Sequence, residues 1–323
     1  MNNNEIAKKV VDRMLETIKA EGVLPWAKPW KNGRESVKVL DGYTEITIPV
    51  QHWSRSGKPY QGINPLLLDF YGKRGEMITF NQCKAEGGKV KKGAKSAPIL
   101  FWNQIRKETD EVDENGKKIV ITIPVLKMYS VFSVEDDCEG LEVKHHPEPQ
   151  TMRIPRYHTE PVEGIDPAAY NPAAEAIIAD YVKRCQTLQL DREGNSNRAY
   201  YSPALDQVVV PNVTQFQQVE EFYSTLFHEL GHSTGHASRL NRFSGKDAAA
   251  AFGDESYSRE ELVAEITAAS ILSALGLESG NSFRNSAAYV KHWSEHIADD
   301  PMMFVTAAGR ADKAIALILG QTA

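Results

Sequence analysis

The 323-residue sequence lacks any apolar run long enough to span a membrane, and its first five residues lack the apolar segment of a signal peptide. These absences predict a cytoplasmic protein without membrane contacts. Cysteine is scarce: Cys83, Cys138 and Cys185 are odd in number and widely separated. They predict neither a disulfide framework nor a thiolate zinc site. Internal repeats and low-complexity tails are also absent, as in an ordinary globular protein.

Charge is unevenly distributed along the chain. The net charge is −6, but residues 1–150 carry 23 Lys and Arg against 21 Asp and Glu, whereas residues 151–323 carry 14 against 22. Within the first half, residues 52–107 contain 11 basic and three acidic side chains. A polyanion would therefore bind in this region.

Short elements of both kinds are predicted in the first half. Apolar residues at helical spacing predict a helix over 4–22, and Asp41-Gly42 predicts a hairpin turn. Asn115-Gly116 lies within the charged segment 108–118 and predicts the tip of a second hairpin. The first half is therefore expected to mix helices with antiparallel strands.

Prolines mark the boundary between the two halves. Five prolines lie between residues 142 and 167, where no periodicity is sustained. Such a segment is typical of a linker between domains. The sequence predicts an N-terminal domain over 1–145, a proline-rich linker over 146–167 and a C-terminal domain over 168–323.

Three segments of the first half are candidates for contact with nucleic acid. The rigid segment 25–30 holds two tryptophans beside a lysine, and the loops 53–64 and 87–95 combine glycines with basic residues. Aromatic rings can stack on bases, and glycine lets a backbone approach phosphates. Tryptophans that cover a small core and a solvated lysine loop are the alternatives. The candidate DNA-binding residues are Trp26, Lys28, Trp30, Arg55, Lys58, Tyr60, Asn64, Lys89, Lys91, Lys92 and Lys95.

A metal-binding motif stands out in the second half. Apolar residues at helical spacing, with Thr214 and Gln217 as a capping box, predict a helix from Thr214 to Gly235. His228 and His232 are then one turn apart and can bind one Zn²⁺, while Glu229 can take a proton from a metal-bound water. Short strands predicted at 198–203 and 207–211 could bind a substrate backbone beside this helix.

The third ligand is expected from the helix that begins near Tyr257. Glu261 and Glu265 lie one turn apart on it and share a face. Glu261 also has capping-box spacing from Ser258, so its carboxylate could satisfy a backbone donor instead. Glu265 lies among apolar residues, where an unpaired carboxylate is costly. One of the two could bind the metal while the other orients a ligand histidine.

A second motif competes with this site. His292-Trp293-Ser294-Glu295-His296 has the H-x-x-E-H spacing of inverted zinc peptidases on a predicted helix. No carboxylate-bearing helix follows it in the sequence. We therefore favour an exposed helix face anchored by Trp293 over a second catalytic site.

Several motifs along the chain together resemble one known family, the ArdC-type antirestriction proteins of plasmids and phages. The similarity extends over nearly the whole length. The motifs are Trp26-Ala27-Lys28-Pro29-Trp30, Tyr60-Gln61-Gly62-Ile63-Asn64, Ala199-Tyr200-Tyr201-Ser202-Pro203, His228-Glu229-Leu230-Gly231-His232 with Thr234-Gly235-His236 and Arg239-Leu240, and Glu260-Glu261-Leu262-Val263-Ala264-Glu265.

The resemblance implies an α+β protein with two domains. A small mixed α/β domain that binds single-stranded DNA would precede a largely helical zincin-like metallopeptidase domain with a short sheet. The family's role would be to protect incoming DNA from host restriction. By analogy with the glutamate zincins, Glu261 would be the third ligand and Glu265 its supporting carboxylate. The hairpin at 37–50 and the tip at 108–118 look like additions to the family pattern, and 132–136 is a diverged segment.

The expected chemistry is metal-assisted peptide hydrolysis. Zn²⁺ held by His228, His232 and Glu261 would lower the pKa of a bound water toward 7, and Glu229 would transfer its proton to the leaving amine. Mn²⁺ or Co²⁺ would also suit these ligands. Tyr257 or His236 would assist at the oxyanion. Two other hypotheses are a DNA-binding shield with a structural metal, and a protease acting on proteins bound to DNA. The peptide substrate and the oligomeric state are open.

Overall fold

The computed structural model describes most of the chain, namely residues 2–22, 24, 36–48, 50–112, 114, 116, 118–155, 170–194, 196–243, 255–277 and 287–321. For residues 21, 36, 37, 112, 255–258 and 287–290 it describes the backbone only. The predicted DNA-binding residues Trp26, Lys28 and Trp30 and the linker segment 156–167 lie outside the described residues, as does the side chain of Tyr257.

The first half contains short helices and nine strands in its described part. They are α1 (Asn3–Glu21), β1 (Ser36–Leu40), β2 (Tyr43–Ile48), β3 (His52–Ser54), α2 (Asn64–Phe70), β4 (Gly75–Thr79), α3 (Phe80–Ala85), β5 (Lys89–Val90), β6 (Ala97–Val112), β7 (Lys118–Ser133), α4 (Val134–Asp137), β8 (Cys138–Glu139) and β9 (Gln150–Pro155).

The second half is largely helical, with one small sheet among its described residues. Its elements are α5 (Pro172–Arg184), β10 (Gln189–Asp191), β11 (Tyr200–Ser202), β12 (Gln207–Val209), α6 (Val219–Ser233), α7 (Glu255–Ala274), α8 (Ala287–Asp299) and α9 (Pro301–Ile318). The described helices include none that is both long and apolar enough to cross a bilayer.

A four-stranded sheet organises the first half, with the strand order β3-β4-β7-β6. β3 and β4 are parallel, and the other pairs are antiparallel. The predicted N-terminal helix is confirmed: Asn2 and Glu5 form a capping box at the start of α1, and Gly22 ends it in the left-handed conformation. The hairpin predicted at Asp41-Gly42 joins β1 and β2.

Part of the predicted linker is a strand. β9, at Gln150–Pro155, pairs antiparallel with β2 and completes a three-stranded sheet. Its Ile154 is buried with Ile46 of β2 against the helices of the second half. The alternating pattern of this strand is short and ends at a proline. The prolines on either side of it are typical of a linker, so the sequence predicted no strand here. Residues 150–155 therefore contribute to a core.

Two large cores are joined through α7. One core contains α1, α8 and α9 with Leu262, Val263 and Ile266 of α7. The other contains α5, α6 and β12 with Ala268, Ile271 and Leu272 of the same helix. Helix α7 thus lies between the N-terminal helix and the helix that carries the histidines.

The metal-binding helix is shorter than predicted. The prediction that it begins at Thr214 is wrong, because a separate 3₁₀ turn at Val213–Gln215 has its own capping box from Asn212. Phe216 is extended, and α6 begins at Val219. The helix ends at Ser233, before Gly235. The strands predicted beside it are present as β11 and β12.

Candidate metal centre and nucleic-acid surface

His228 and His232 face each other on α6. Their Nε2 atoms are 3.1 Å apart, and each side chain is only 13% exposed. The same helix buries Leu226, Phe227 and Leu230 completely. This apolar stripe determines which side of the helix faces the core. Core packing therefore brings both imidazoles to one side, as the helical spacing predicted.

A close crossing of α6 and α7 supplies the carboxylates. Gly231 lies at the crossing, where a Cβ atom at this position would be 3.1 Å from the Cα atom of Ala264. This small pair lets the two backbones approach closely. Glu261 and Glu265 flank Ala264 on α7, so the crossing places them beside the histidines.

Glu261 completes a group of three candidate metal ligands. Its Oε2 is 3.4 Å from Nε2 of His228, and its Oε1 is 3.2 Å from Nε2 of His232. Neighbouring ligands of a tetrahedral zinc ion with bonds near 2.0–2.1 Å are roughly 3.3 Å apart. The three observed separations therefore fit one divalent metal ion. In the described part of the chain this is the one group of at least three His, Cys, Asp or Glu residues that could hold a metal.

Each histidine also has a carboxylate at its other ring nitrogen. Nδ1 of His228 is 3.3 Å from Oε1 of Glu265, and Nδ1 of His232 is 3.6 Å from Oε1 of Glu260. Such carboxylates fix the tautomer that leaves Nε2 available to a metal. Glu260 in turn accepts a hydrogen bond of 3.0 Å from Nε of Arg242. Arg242 also donates a hydrogen bond of 2.9 Å to the carbonyl oxygen of Gly231. The sequence pattern alone predicts roles for Glu261 and Glu265, but not for Glu260. The adjacent acid Glu260 was the available signal.

The electrostatics of the group favour a cation. Burial lowers the pKa of His232, but the carboxylates of Glu260 and Glu261 outweigh burial and raise it to about 10. Burial opposes ionisation of Glu261, but His228 and His232 hold its pKa below the ordinary value. The pKa of His228 is raised in the same way, against burial, by Glu261 and Glu265. The carboxylates therefore stabilise positive charge between the imidazoles.

Glu229 differs from the other acids of the site. It is 8% exposed, and burial raises the pKa of its carboxyl group, whereas the nearby histidines oppose this shift. The backbone of Tyr201 in β11 also opposes the shift, more weakly than the histidines do. A buried carboxylate with a raised pKa is suited to accept and return a proton.

An ion pair fixes the end of α6 to the β11–β12 hairpin. Arg239 donates from Nε to the carbonyl oxygen of Ser233 at 2.7 Å and binds both carboxylate oxygens of Asp206. Asp206 lies in the turn with a φ of 47° and also accepts a bond of 2.9 Å from the Tyr201 hydroxyl. These contacts hold β11 beside Glu229. The sequence did not predict them, because they join residues distant along the chain.

The other predicted residues of the second half have different surroundings. His236 contacts the Ser238 hydroxyl at 2.8 Å, and its Nδ1 is 4.0 Å from Asp206, so its described contacts lie outside the group of three ligands. The rings of His292 and His296 are tilted by 46° with their centroids 4.2 Å apart, near the buried Trp293. Nδ1 of His296 bonds the carbonyl oxygen of His292 at 2.9 Å. This arrangement agrees with the predicted helix face anchored by Trp293.

Two of the predicted DNA-binding side chains have structural contacts. Arg55 is 7% exposed and forms ion pairs with Glu76 and Glu86. Asn64 is buried and forms two hydrogen bonds with the backbone of Leu100 in β6, at 2.9 and 2.7 Å. The charge of Arg55 is thus already compensated within the protein.

The predicted lysines differ in their accessibility. Lys58, Lys89, Lys92 and Lys95 are exposed, and none of them forms an ion pair with another described residue. Lys91 instead donates to the carbonyl oxygen of Asp136 at 2.8 Å, at the end of α4. The exposed lysines therefore remain available to a polyanion.

Tyr60 belongs to an aromatic cluster on the four-stranded sheet. Its ring centroid is 6.3 Å from that of Phe101, which is 5.9 Å from that of Tyr129. Phe101 and Tyr129 are each 42% exposed. Exposed rings on a sheet can stack with unpaired bases, and the sequence did not predict the contribution of Phe101 and Tyr129.

Two families match the two halves of the chain. Residues 172–310 match the zincin-like metallopeptidases, and residues 4–132 match the N-terminal domain of anti-restriction factor ArdC. DNA primase TraC of Escherichia coli is 31% identical over 312 residues, which are 95% of this chain but 26% of TraC. The chain thus spans about a quarter of that relative. An uncharacterised protein of Sinorhizobium fredii (strain NBRC 101917 / NGR234), y4eC, is 28% identical over 96% of this chain and 90% of its own length.

Solved structures of one protein resemble the whole fold. The metal-free crystal structure of the antirestriction ArdC protein from plasmid R388 has a TM-score of 0.61 and 30% identity, over 97% of this chain and 96% of that one. Its Mn(II)-bound structure has a TM-score of 0.60 and 29% identity, over 97% of each chain. The two-domain α+β fold expected from the sequence is confirmed by this similarity. Because the similarity extends over both domains, the chain belongs to the ArdC family of antirestriction proteins.

Proposed function

We propose that the chain binds single-stranded DNA through its N-terminal half, carries a zinc-dependent peptidase site in its C-terminal half, and protects incoming mobile-element DNA from host restriction. The observation that carries the peptidase proposal is the placement of Glu229 beside the ligand group His228, His232 and Glu261. Structural zinc sites almost always have four protein ligands, whereas the described residues supply three here, as in catalytic zinc sites that keep a position for water.

The residues of the site would divide the work. A bound Zn²⁺ ion would act as a Lewis acid that polarises a peptide carbonyl and acidifies a water molecule. Glu229 would accept a proton from that water at its carboxylate and return it to the leaving amine, which its raised pKa favours. Glu260 and Glu265 would hold the imidazole rings in place through their Nδ1 atoms.

β11 would position the substrate. It is at the edge of its sheet, in the order β10-β12-β11, and it contacts α6. An extended peptide could add to this edge by backbone hydrogen bonds, which would place its carbonyl near Glu229. Arg239 and Asp206 would hold the edge at the correct distance from the ligand group.

The DNA site would combine the aromatic cluster with the exposed lysines. Phe101 and Tyr129 would stack with bases, while Lys58, Lys92 and Lys95 would contact phosphates. The short sequence 95–97 joins Lys95 to the start of β6, so charge and rings lie on connected parts of the fold. Phe101→Ala should weaken binding to a single-stranded oligonucleotide without changing its salt dependence. Lys92→Gln with Lys95→Gln should reduce the salt dependence itself.

Glu229→Gln separates catalysis from metal binding. The variant keeps the size of the side chain but cannot accept the proton, so it should retain zinc and lose peptide cleavage. His228→Ala with His232→Ala should lose zinc as well, as elemental analysis of purified protein would show. Equal, sub-stoichiometric zinc in the wild type and the double variant would contradict the ligand assignment.

Protection of DNA from restriction can be measured on the same variants. If Glu229→Gln protects DNA as well as the wild type, protection is independent of hydrolysis and the chain acts as a DNA-binding shield. If protection is lost together with cleavage, protection requires hydrolysis, as the hypothesis of a protease acting on proteins bound to DNA demands. The exposed cluster of Phe101 and Tyr129 favours DNA binding in both cases.

A further inference from the structure

The β6–β7 hairpin extends beyond the sheet as a two-stranded arm. β4 pairs with β7 only at residues 131–133, whereas β6 and β7 each contain 16 residues. At about 3.3 Å per residue, the hairpin is roughly 50 Å long. A two-stranded ribbon is only marginally stable when it has no other packing partner.

Two asparagines cover the edges of the arm near its base. Asn64 bonds both backbone groups of Leu100 in β6, and Asn3 bonds the backbone of Pro124 and Leu126 in β7. Alternate residues of a strand direct their backbone groups to the same edge. The backbone N–H and C=O groups of the even-numbered residues in both strands therefore point away from the partner strand. The odd-numbered residues therefore pair across the hairpin.

This register places apolar side chains on one face of the arm. Ile105 is opposite Ile123, and Lys107 is opposite Ile121. These odd-numbered residues share a face with Ile119. We call it the isoleucine face, and its members are exposed by 36–46%: Ile105, Ile119, Ile121 and Ile123.

The opposite face is more polar, although it is equally accessible. There Arg106 is opposite Thr122 and Glu108 is opposite Val120. Val120 is 51% exposed and Ile121 is 42% exposed, and both side chains are β-branched. Val120 can therefore serve as a control position for substitutions of Ile121. Apart from Val120 and the 53% exposed Trp102 near the base, the exposed large apolar side chains of the arm lie on the side of the isoleucine face. An exposed apolar patch of this kind is typical of a surface that binds a partner.

Charge differs between the two ends of the isoleucine face. The described acidic side chains near the tip are those of Glu108, Asp110, Glu111 and Glu114, and Nζ of Lys118 lies 4.0 Å from Glu108. At the base, the exposed Lys92 and Lys95 precede β6, and Lys127 is opposite Phe101. The acidic tip argues against DNA as the partner, because it would repel phosphates.

We propose that the isoleucine face binds the same face of a second copy of this chain, with the two arms antiparallel about a two-fold axis. The isoleucines of both copies then cover each other, as in two packed sheets about 10 Å apart. At about 3.3 Å per residue, the acidic tip of each arm then lies near the exposed Lys127, which is opposite Phe101 at the base of the other arm. One face therefore complements itself, as a two-fold interface requires.

The size of the face sets the strength of the dimer. The four half-exposed isoleucines form a patch of a few hundred Å² at most, comparable to the largest apolar patches on monomers. Two such patches bury less surface than a standard stable interface of about 1,600 Å². The dimer is therefore weak and forms in a concentration-dependent manner.

Sedimentation velocity of the full chain tests the proposal, at protein concentrations from about 1 to about 100 µM. The wild type should change from monomer to dimer across this range. Ile121→Lys should raise the dissociation constant at least tenfold. Val120→Lys adds the same charge to the other face and should change the constant less than twofold. Glu111→Lys should weaken the dimer, and the weakening should vanish at high salt.

Two results would overturn the proposal. A wild type that stays monomeric at every concentration would show that a second copy does not cover this face. Equal loss of dimer in Ile121→Lys and Val120→Lys would place the interface elsewhere on the arm. Ile121→Ser, which adds no charge, should also weaken dimerisation, and unchanged circular dichroism and thermal unfolding of each variant exclude misfolding as the cause.

Discussion

Replacing Gly231 with alanine tests whether the close crossing of α6 and α7 holds the metal ligands together. A Cβ atom at this position would be 3.1 Å from Cα of Ala264 and 3.5 Å from its Cβ and carbonyl oxygen. The obstacle is backbone, so no side-chain rotation can relieve it. Helix α7 must therefore move away from α6 by a few tenths of an ångström.

This movement separates Glu261 from the histidines. The carboxylate is on α7 and both imidazoles are on α6, so an increase in helix separation lengthens the present distances of 3.2 and 3.4 Å. Metal–ligand distances vary by only about 0.2 Å around their ideal values, so a shift of a few tenths of an ångström disturbs the site. We expect the affinity for zinc to fall at least tenfold, or about 1.4 kcal/mol. Overpacking should also lower the free energy of unfolding by about 1–3 kcal/mol.

Gly309→Ala provides the matched control. Gly309 lies inside α9, and no heavy atom is within 4 Å of the position where its Cβ would be. Both substitutions gain the same helix propensity, about 1 kcal/mol, so the difference between the two variants isolates the crossing. Zinc affinity would be measured by competition with a chelator, and stability by urea unfolding without metal. If Gly231→Ala binds zinc as tightly as Gly309→Ala, the crossing does not set the ligand geometry.

Three further predictions concern charged groups around the site. Glu260→Gln should weaken zinc binding by about 10- to 100-fold, measured by chelator competition, because it leaves His232 without its carboxylate. Since the pKa of His232 is raised to about 10, zinc must displace a proton below that pH. Affinity should rise with pH up to about 10, and calorimetry in buffers of different ionisation enthalpy should detect proton release. Burial raises the pKa of Asp206, but hydrogen bonds, of which that from Arg239 is the largest, outweigh burial and lower the pKa to about 2. The ionised Asp206 therefore stabilises the fold fully above about pH 4, and this stabilisation is lost as pH falls toward 2. Asp206→Asn should flatten the acid side of the unfolding curve in that window.

Two of the three candidate metal ligands could be predicted from the helical periodicity of the sequence. Two histidines four residues apart must share a helix face, and buried neighbours such as Leu226 and Leu230 determine which face turns inward. The choice between Glu261 and Glu265 depended on where α7 crosses α6. That crossing is set by Gly231 and Ala264, which are ordinary residues in the sequence. Helical spacing alone therefore left the third ligand open.

Long-range contacts account for the remaining differences. Arg242 and Glu260 are 18 residues apart, and Asp206 and Arg239 are 33 apart, so no local pattern joins them. β9 forms a strand because it pairs with β2, which lies about a hundred residues earlier in the chain. The prolines around β9 suggested an irregular segment, but pairing determined its conformation. Tertiary context overrode local preference at each of these positions.

Helix α7 connects the candidate metal centre with the N-terminal half. Its residues Glu260, Glu261 and Glu265 face the histidines, whereas Leu262 and Ile266 are buried in the core that also contains α1. A helix that is packed on two sides cannot shift toward one without loosening the other. The position of the ligand carboxylate thus depends on packing contributed by residues 3–21. The two halves therefore share packing through α7, even though separate families match them. Movement of α7 is one route by which a binding event in the first half can reach the candidate ligands.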